Sequence, residues 1–329
     1  MSGVQTLTVS PEDAEIRLDR WFKRRFPALR HGRLEKLLRT GQIRVDGKRA
    51  EAGERVVAGQ RIRIPPLPAT PSSDAKPSPP PPSRAEAQAL RERVLYRDAD
   101  IIVIDKPEGL AVQGGTGTSR HLDGMLDALR FDADERPKLV HRLDKDTSGV
   151  LLLARHARAA AQLGTLFRSK DMRKIYWAIT VGAPKPRTGK IDQPLAKQPG
   201  PHGERVAADD EGGERALTYY RTVSRAGERF AWLALEPVTG RTHQLRVHCS
   251  VLGTPILGDG KYGGAAAHPA SLPQAKKLHL HARAIALPWH GKTVTVTAPL
   301  PPHMRASWDF FGFEESAERN PFADLAPAR

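Results

Sequence analysis

The chain has 329 residues, of which 39% are apolar, 27% are charged and only 6% are aromatic, and its formal net charge is +15. This length is enough for two domains with buried cores, and the positive charge favours a polyanionic partner, with nucleic acid first. A single cysteine excludes a disulfide framework and a cysteine-cluster metal site. No apolar run approaches the roughly 18 residues of a membrane span. We therefore expect a protein of the reducing cytoplasm that does not associate with membranes.

The basic charge is concentrated in a segment near the N-terminus. Residues 16–64 carry 15 Lys and Arg against 5 Asp and Glu, and 9 of the 18 residues from 65 to 82 are proline. Such a proline-rich segment favours an extended conformation that does not join a core. We predict an N-terminal extension over 1–15, a basic domain over 16–64, a flexible linker over 65–90, a second domain over 91–300 and a C-terminal tail over 301–329.

The basic domain shows the pattern of two helices followed by a hairpin. Apolar residues from Leu18 to Phe26 recur at helical spacing, a second helix is predicted over 32–39, and Asp46-Gly47 is a two-residue turn signal. The segment resembles the S4 RNA-binding domain, most clearly in RLDRWF and LLRTGQIRVDGKR. The alternative is a small fold whose charges are merely solvated. The basic side chains that the resemblance predicts to bind RNA are Arg20, Lys23, Arg24, Arg33, Arg39, Arg44, Lys48 and Arg49.

The second domain is richer in strand patterns than in helix patterns. One helix is predicted over 157–168, and no regular alternation of strand and helix is present, which favours an α+β fold over a doubly wound sheet. Extended segments are predicted over 94–96, 101–104, 150–153, 174–180, 215–223, 232–235, 244–248 and 293–297.

Three motifs carry candidate chemistry. In HRLDKD, cations flank Asp144 just before a buried strand, which suits an ionised catalytic carboxylate, whereas Asp146 is interpreted as a turn-capping residue. Tyr176 lies in a predicted strand and either stacks on a base or belongs to the core. Arg246 lies in a predicted strand with Gln244 on the same face. It pairs with a buried carboxylate, contacts phosphate or is a solvated charge at the edge of the sheet.

The ordered motifs HRLDKDTSGVLLLA, KIYWA, PVTGRTHQLRVH with GTPILGDGKYG, and LHLHA resemble the RluA-type pseudouridine synthases over about 94–299. DKPEGLAVQGG, ahead of the first motif, adds to the likeness. The preceding S4-like segment makes the chain most similar to the branch that acts on large-subunit ribosomal RNA. The resemblance implies a mixed, largely antiparallel sheet, no metal and no organic cofactor. It also implies a 23S ribosomal RNA substrate, free or in an assembling subunit, and we expect a monomer.

The resemblance also assigns roles to residues. Asp144 becomes the catalytic carboxylate, Tyr176 stacks on the target base and helps the proton leave C5, and Arg246 holds Asp144 by a salt bridge. Arg142 takes the place of the flipped nucleotide. The carboxylate either attacks or stabilises C1′ or abstracts the C2′ proton, and the sequence leaves these routes open. Further RNA contacts are predicted for His141 and Arg241.

Four alternatives remain. A noncatalytic S4-type RNA-binding or ribosome-assembly factor explains the charge equally well, and a synthase acting on another RNA, such as transfer RNA, explains the motifs. A glycoside hydrolase needs two carboxylates across the bond; the candidates here are Asp144 and Asp146. A metal enzyme would draw on the histidine pairs His243/His248 and His279/His281.

Overall fold

The chain forms two compact units, Met1–Ser78 and Pro79–Arg329. The structure, a computed structural model, describes residues 3–29, 31–67, 81–115, 118, 120–200, 204–270, 272–317 and 322. Within these ranges no helix has the length and apolar character needed to cross a membrane. The proline-rich stretch predicted as a flexible linker lies largely outside the described residues.

The N-terminal unit is a small α+β fold. Its elements are β1 (Gln5–Thr8), α1 (Leu18–Arg25), α2 (His31–Arg39), β2 (Arg44–Val45) and β3 (Arg61–Ile64). The sheet has the order β1-β3-β2 and both pairings are antiparallel. The two helices and the Asp46-Gly47 turn form as the sequence predicts, and both turn residues have positive φ, at 48° and 78°. The prediction of a separate N-terminal extension over 1–15 is wrong, because β1 is a strand of this sheet.

The C-terminal unit is built on one large sheet. The strands of this unit are β4 (Val94–Arg97), β5 (Ile101–Lys106), β6 (Lys138–Leu139), β7 (Ser148–Ala154), β8 (Arg173–Val181), β9 (Thr188–Asp192), β10 (Leu195–Gln198), β11 (Arg205–Ala208), β12 (Leu217–Ala226), β13 (Phe230–Pro237), β14 (Leu280–Trp289) and β15 (Lys292–Thr297). Its α-helices are α3 (Arg84–Arg91), α4 (Ala157–Ser169), α5 (Gln244–Val251) and α6 (Pro302–Phe311).

The sheet has ten strands among the described residues, in the order β4-β5-β7-β14-β8-β13-β12-β9, with β15 paired to β14 and β6 to β7. Strands β7 and β14 are parallel and the other pairings are antiparallel. The predicted α+β fold with a mixed, largely antiparallel sheet is therefore confirmed. Strands β10 and β11 form a separate hairpin.

Strands β5 and β7 contain the unbroken apolar runs 101–104 and 150–154 because both faces of the sheet are covered there. Ile101, Val103 and Leu152 pack with α4, whereas Ile102 and Leu151 pack with α3 and a 3-10 helix over 122–129. Side chains alternate between the faces along each strand, so each residue of the run is buried on one side or the other. Burial of each such side chain stabilises the fold by about 1.5–3 kcal/mol.

Both ends of the predicted second domain extend further than the sequence indicated. The predicted linker 65–90 ends in helix α3, which is capped by Ser83 and buries Leu90 in the core. The predicted tail 301–329 contains α6, whose Trp308 stacks on Trp177 with ring centroids 5.9 Å apart. The aromatic cluster around Trp177 therefore includes a residue of the segment that was predicted to be a tail.

Candidate active site

A cavity of about 550 Å³ opens between the loop before β7, the start of β8 and the start of α5. Asp144 is the only carboxylate residue among the described residues that line it. Because cations surround this single acid, a polyanionic ligand can enter without repulsion from the walls. The cationic residues lining the cavity are Arg142, Arg168, Lys170, Lys174, Arg241 and Arg246.

The Asp144 loop is held in place by a buried lysine at the end of β5. Lys106 has no exposed surface, and its Nζ donates to the carbonyl oxygens of Pro107, Leu110 and Lys145 at 2.9, 2.9 and 3.0 Å. Burial lowers the pKa of Lys106 to about 8, against the opposing effect of nearby carboxylates that include Asp144. Lys106 is not among the site residues predicted from the sequence, although a lysine that follows an apolar run in DKPEGL was a usable signal.

Tyr176 faces the same cavity from the middle of the sheet. It lies in β8, opposite Leu235 of β13 and Ala282 of β14. Burial raises the pKa of the Tyr176 hydroxyl, and the negative charge of Asp144 raises it further. The strand predicted over 174–180 is confirmed, and the phenol stays protonated at neutral pH.

Arg246 lies on a helix, so the strand predicted over 244–248 is wrong. Helix α5 begins after His243, whose φ of 54° is left-handed, and the residues from 244 to 249 are all buried. Polar and apolar residues alternate here as they would in a half-buried strand. On the helix the polar side chains are nevertheless buried, because they form hydrogen bonds within the protein. Gln244, for example, accepts from Thr239 Oγ1 at 2.7 Å and donates to the carbonyl oxygen of Leu217 at 3.0 Å.

Arg246 also has a different partner from the one expected. Its Nε and Nη2 donate to Asp259 at 2.8 and 2.7 Å, and among the described residues it forms no salt bridge with Asp144. Burial lowers the pKa of Arg246, but the hydrogen bonds and charge of Asp259 outweigh it, and Asp144 adds to the net upward shift. Arg246 therefore contributes positive charge near Asp144 while it is fixed by Asp259.

The three predicted RNA contacts of this unit differ in character. Arg142 is exposed at the cavity. Arg241 is exposed as well; its Nε donates to the carbonyl oxygen of Arg215 at 3.1 Å and its guanidinium pairs with Glu214. His141 instead accepts a hydrogen bond at Nε2 from the Leu152 amide at 2.8 Å. Burial lowers the pKa of His141 to about 3, so the ring is neutral and fixed against the strand.

The predicted RNA-binding cations of the N-terminal unit all lie on its exposed surface. Arg20, Lys23 and Arg24 line one groove along α1. Arg24 also forms a salt bridge with Asp13 at 3.2 Å, and Arg44 donates to the carbonyl oxygens of Gly41 and Gly47. Arg39 and Arg49 line a second groove beside α2. Of the predicted set, Arg33, Arg44 and Lys48 are exposed but line neither groove.

The histidine pairs considered for a metal are engaged in hydrogen bonds. His248 bonds Thr218 Oγ1 and the Gln193 carbonyl, His279 bonds the Lys277 carbonyl and Ser307 Oγ, and His281 bonds Ser148 Oγ and the Ala298 carbonyl. Among the described residues no group of three or more His, Cys, Asp or Glu could hold a metal ion. His243 is the member of the two pairs that lies at the cavity, with Nε2 3.9 Å from Asp144 Oδ1.

Comparison with known proteins places this site in a family. Residues 100–251 match the family described as RNA pseudouridylate synthase. Ribosomal large subunit pseudouridine synthase C of Rickettsia conorii is 38% identical over 279 residues, which cover 82% of this chain and 88% of that protein. The chain belongs to the RNA pseudouridylate synthase family. The RluA-type resemblance of the sequence is thereby confirmed.

Other relatives of this pseudouridine synthase agree. Ribosomal large subunit pseudouridine synthase C of Salmonella typhimurium is 34% identical and covers 91% of this chain and 93% of its own length. The mitochondrial RNA pseudouridine synthase 4 of Arabidopsis thaliana is 38% identical, and the chain spans 65% of its length. The solved structure of human RNA pseudouridylate synthase domain containing 4 has a TM-score of 0.60 and 32% identity, covering 69% of this chain and 96% of that one.

Proposed function

We propose that this synthase converts specific uridines of 23S ribosomal RNA to pseudouridine, with Asp144 as the catalytic carboxylate. The observation that carries the assignment is the position of Asp144, the one acid that the described part of the chain places in a cavity lined by cations and by Tyr176. The large-subunit substrate is supported by the relatives named ribosomal large subunit pseudouridine synthase C, which match along most of this chain.

The cavity suits the chemistry of a flipped uridine. Its volume of about 550 Å³ falls within the range of small-molecule sites. The reaction breaks the N1–C1′ bond, turns the uracil and joins C5 to C1′, while the C5 proton is lost and N1 gains one. No atom is gained or lost overall, and no redox step occurs. Base extrusion costs a few kcal/mol, and the Tyr176 ring provides the surface on which the base stacks.

The ionised Asp144 carboxylate serves either route, by attack at C1′ or by removal of the C2′ proton. The positive charge of the buried Arg246 stabilises a carboxylate beside it, and the exposed Arg168 and Lys170 bind RNA phosphates at the rim. Arg142 is exposed at the mouth, where a side chain can replace the flipped nucleotide in its stack. Arg241 extends the basic surface of the cavity. His141 holds β7 in place behind the cavity by accepting the Leu152 amide.

The cations of the N-terminal unit are proposed to bind RNA through its phosphates. We propose as well that this unit acts as an S4-type RNA-binding domain. The same proposal has the protein act as a monomer, in the cytoplasm and without a cofactor. Replacement of Arg20, Lys23, Arg33 and Arg39 together by Gln should weaken binding of a large-subunit RNA fragment and flatten the dependence of affinity on salt. An unchanged salt slope would exclude these side chains from the interface.

The deciding experiment maps pseudouridine in ribosomal RNA from cells that lack the gene and from cells complemented with variants. The wild-type gene should restore a few sites in 23S RNA, and Asp144→Asn should restore none. Asp146→Asn is the matched control, because this exposed carboxylate lies two residues away in the same turn. Restoration by Asp144→Asn would refute the catalytic assignment. Sites that change only in transfer RNA would refute the ribosomal substrate.

A further inference from the structure

We propose that His243 is a positioning residue for Asp144, with its Nε2–H directed at the carboxylate and its tautomer set by the Tyr262 hydroxyl. The inference rests on the proposed function, because it takes Asp144 as the reacting group. It adds a hydrogen-bonded chain, Tyr262–His243–Asp144, that holds the carboxylate from the side of α5.

The hydrogen bonds of Tyr262 favour one tautomer of the His243 ring. The Tyr262 oxygen lies 2.6 Å from His243 Nδ1, and it accepts a bond from the Val206 amide at 3.4 Å. The hydroxyl hydrogen is therefore free to be donated to Nδ1, which makes Nδ1 the bare nitrogen. The proton of the neutral ring is then on Nε2, and Nε2 is the atom that lies 3.9 Å from Asp144 Oδ1. This separation is longer than a hydrogen bond, and such distances commonly tighten when substrate binds.

Tyr262 is itself held by the carboxylate that fixes Arg246. Asp259 Oδ1 accepts from the Tyr262 amide at 3.1 Å and from Arg246 Nη2 at 2.7 Å. The Arg246 guanidinium lies 5.0 Å from the centre of the Tyr262 ring. One buried acid therefore sets the positions of both the cation and the phenol. A displacement of Tyr262 would release the imidazole.

The surroundings keep His243 neutral near pH 7. Burial lowers its pKa; Asp144 and Asp259 oppose this effect, and Arg246 and Lys261 reinforce it. A neutral ring that donates through Nε2 favours the ionised carboxylate without adding a further cation beside it. The charged residues that line the adjoining cavity, which His243 also lines, are Glu108, Asp146, Arg246, Lys261, Lys276 and Lys277.

Two substitutions of His243 separate positioning from folding. The residue has a φ of 54°, a conformation that Asn adopts readily, so His243→Asn should preserve the backbone. The Asn amide extends only as far as Nδ1; it can reach Tyr262 but not Asp144. In His243→Gln the amide extends to the position of Nε2 and restores a donor to the carboxylate. We expect kcat to fall about tenfold in the Asn variant, the weaker limit for loss of a bond to a charged group.

The Gln variant should recover most of this loss, and KM should stay within about twofold in both variants because the substrate keeps its own contacts. The acid limb of the pH–rate profile should move to higher pH in the Asn variant and return in the Gln variant. His268→Gln is the control, since His268 is exposed and lies outside the cavity. Equal impairment of Asn and Gln variants with an unchanged pH profile would overturn the proposal, and so would wild-type rates in His243→Asn.

A measurement independent of turnover distinguishes this inference from the proposed function. The ¹⁵N shifts of His243 in the full-length protein should report the Nε2–H tautomer in the wild type and a mixture of tautomers in Tyr262→Phe. An Nδ1–H tautomer in the wild type would overturn the proposal whatever RNA the enzyme modifies. Absence of pseudouridine formation by the wild type would instead refute the proposed function and leave the ¹⁵N result to decide the histidine.

Discussion

Replacing Asp259 with Asn should destabilise the C-terminal unit by about 3 kcal/mol, because the Arg246 charge would remain buried without its counter-ion. Asp259 is 1% exposed and Arg246 is 8% exposed, and two hydrogen bonds of 2.8 and 2.7 Å join them. Removal of one partner of a buried pair costs about 3–5 kcal/mol. The lower value applies here, because the Asn carbonyl can still accept from the amides of Lys261 and Tyr262.

Equilibrium urea unfolding of the full-length protein, followed by tryptophan near-ultraviolet circular dichroism, measures this loss. The tryptophans of the C-terminal unit are Trp177, Trp232, Trp289 and Trp308, so its transition dominates the signal. Glu228→Gln is the matched control, since this carboxylate is 62% exposed and such pairs contribute about 0–1 kcal/mol. If Asp259→Asn lost no more free energy of unfolding than the control, the buried charge pair would not have the structural role assigned to it.

Three further predictions concern stability. Burial lowers the pKa of His281 to about 4, so on acidification the unfolded chain binds a proton at this residue before the folded protein does. The free energy of unfolding should therefore fall as the pH drops from 6.5 towards 4, by about 2 kcal/mol at pH 5. The dependence of this free energy on pH should be shallower in His281→Asn but not in His268→Gln. Ser83→Ala should cost about 1 kcal/mol by thermal unfolding, because it removes the capping box of α3. Gly149→Ala places a Cβ 2.2 Å from a carbonyl oxygen of β14 and should lower the free energy of unfolding by about 3 kcal/mol or more. Gly291→Ala is the control, because open space surrounds this glycine, and it should cost about 1 kcal/mol. Equal losses of stability in the two variants would refute the steric argument.

The parts of the fold that were predictable are those where one local pattern has one meaning. The unbroken apolar runs of β5 and β7 indicate strands covered on both faces, and Asp46-Gly47 indicates a tight turn. Asp144 and Tyr176 were identifiable because their motifs occur in a fixed order along the chain. The structure brings these two residues to one cavity, which the sequence could only imply.

The parts that failed depend on distant partners. The residues of α5 alternate polar and apolar like a strand, and only the bonds of Gln244 to Leu217 and of Arg246 to Asp259 show why polar side chains are buried on a helix. Helix α6 had no assigned role because Trp308 packs against Trp177, 131 positions earlier in the chain. The tautomer of His243 depends in the same way on a hydroxyl 19 residues away.

The position of β14 in the sheet constrains when this protein can fold. Strand β8 pairs with β13 on one edge and β14 on the other, and both follow it in the chain. Until residue 289 has been synthesised, a nascent chain leaves β7 and β8 with unpaired edges, and such edges invite association with other chains. Pairings between distant segments also form slowly, because the loops that join them must close first. The chain must therefore be synthesised through β14 before the Asp144 loop has the neighbours that shape its cavity, and a chain that ends before β14 is an aggregation hazard rather than a partial enzyme.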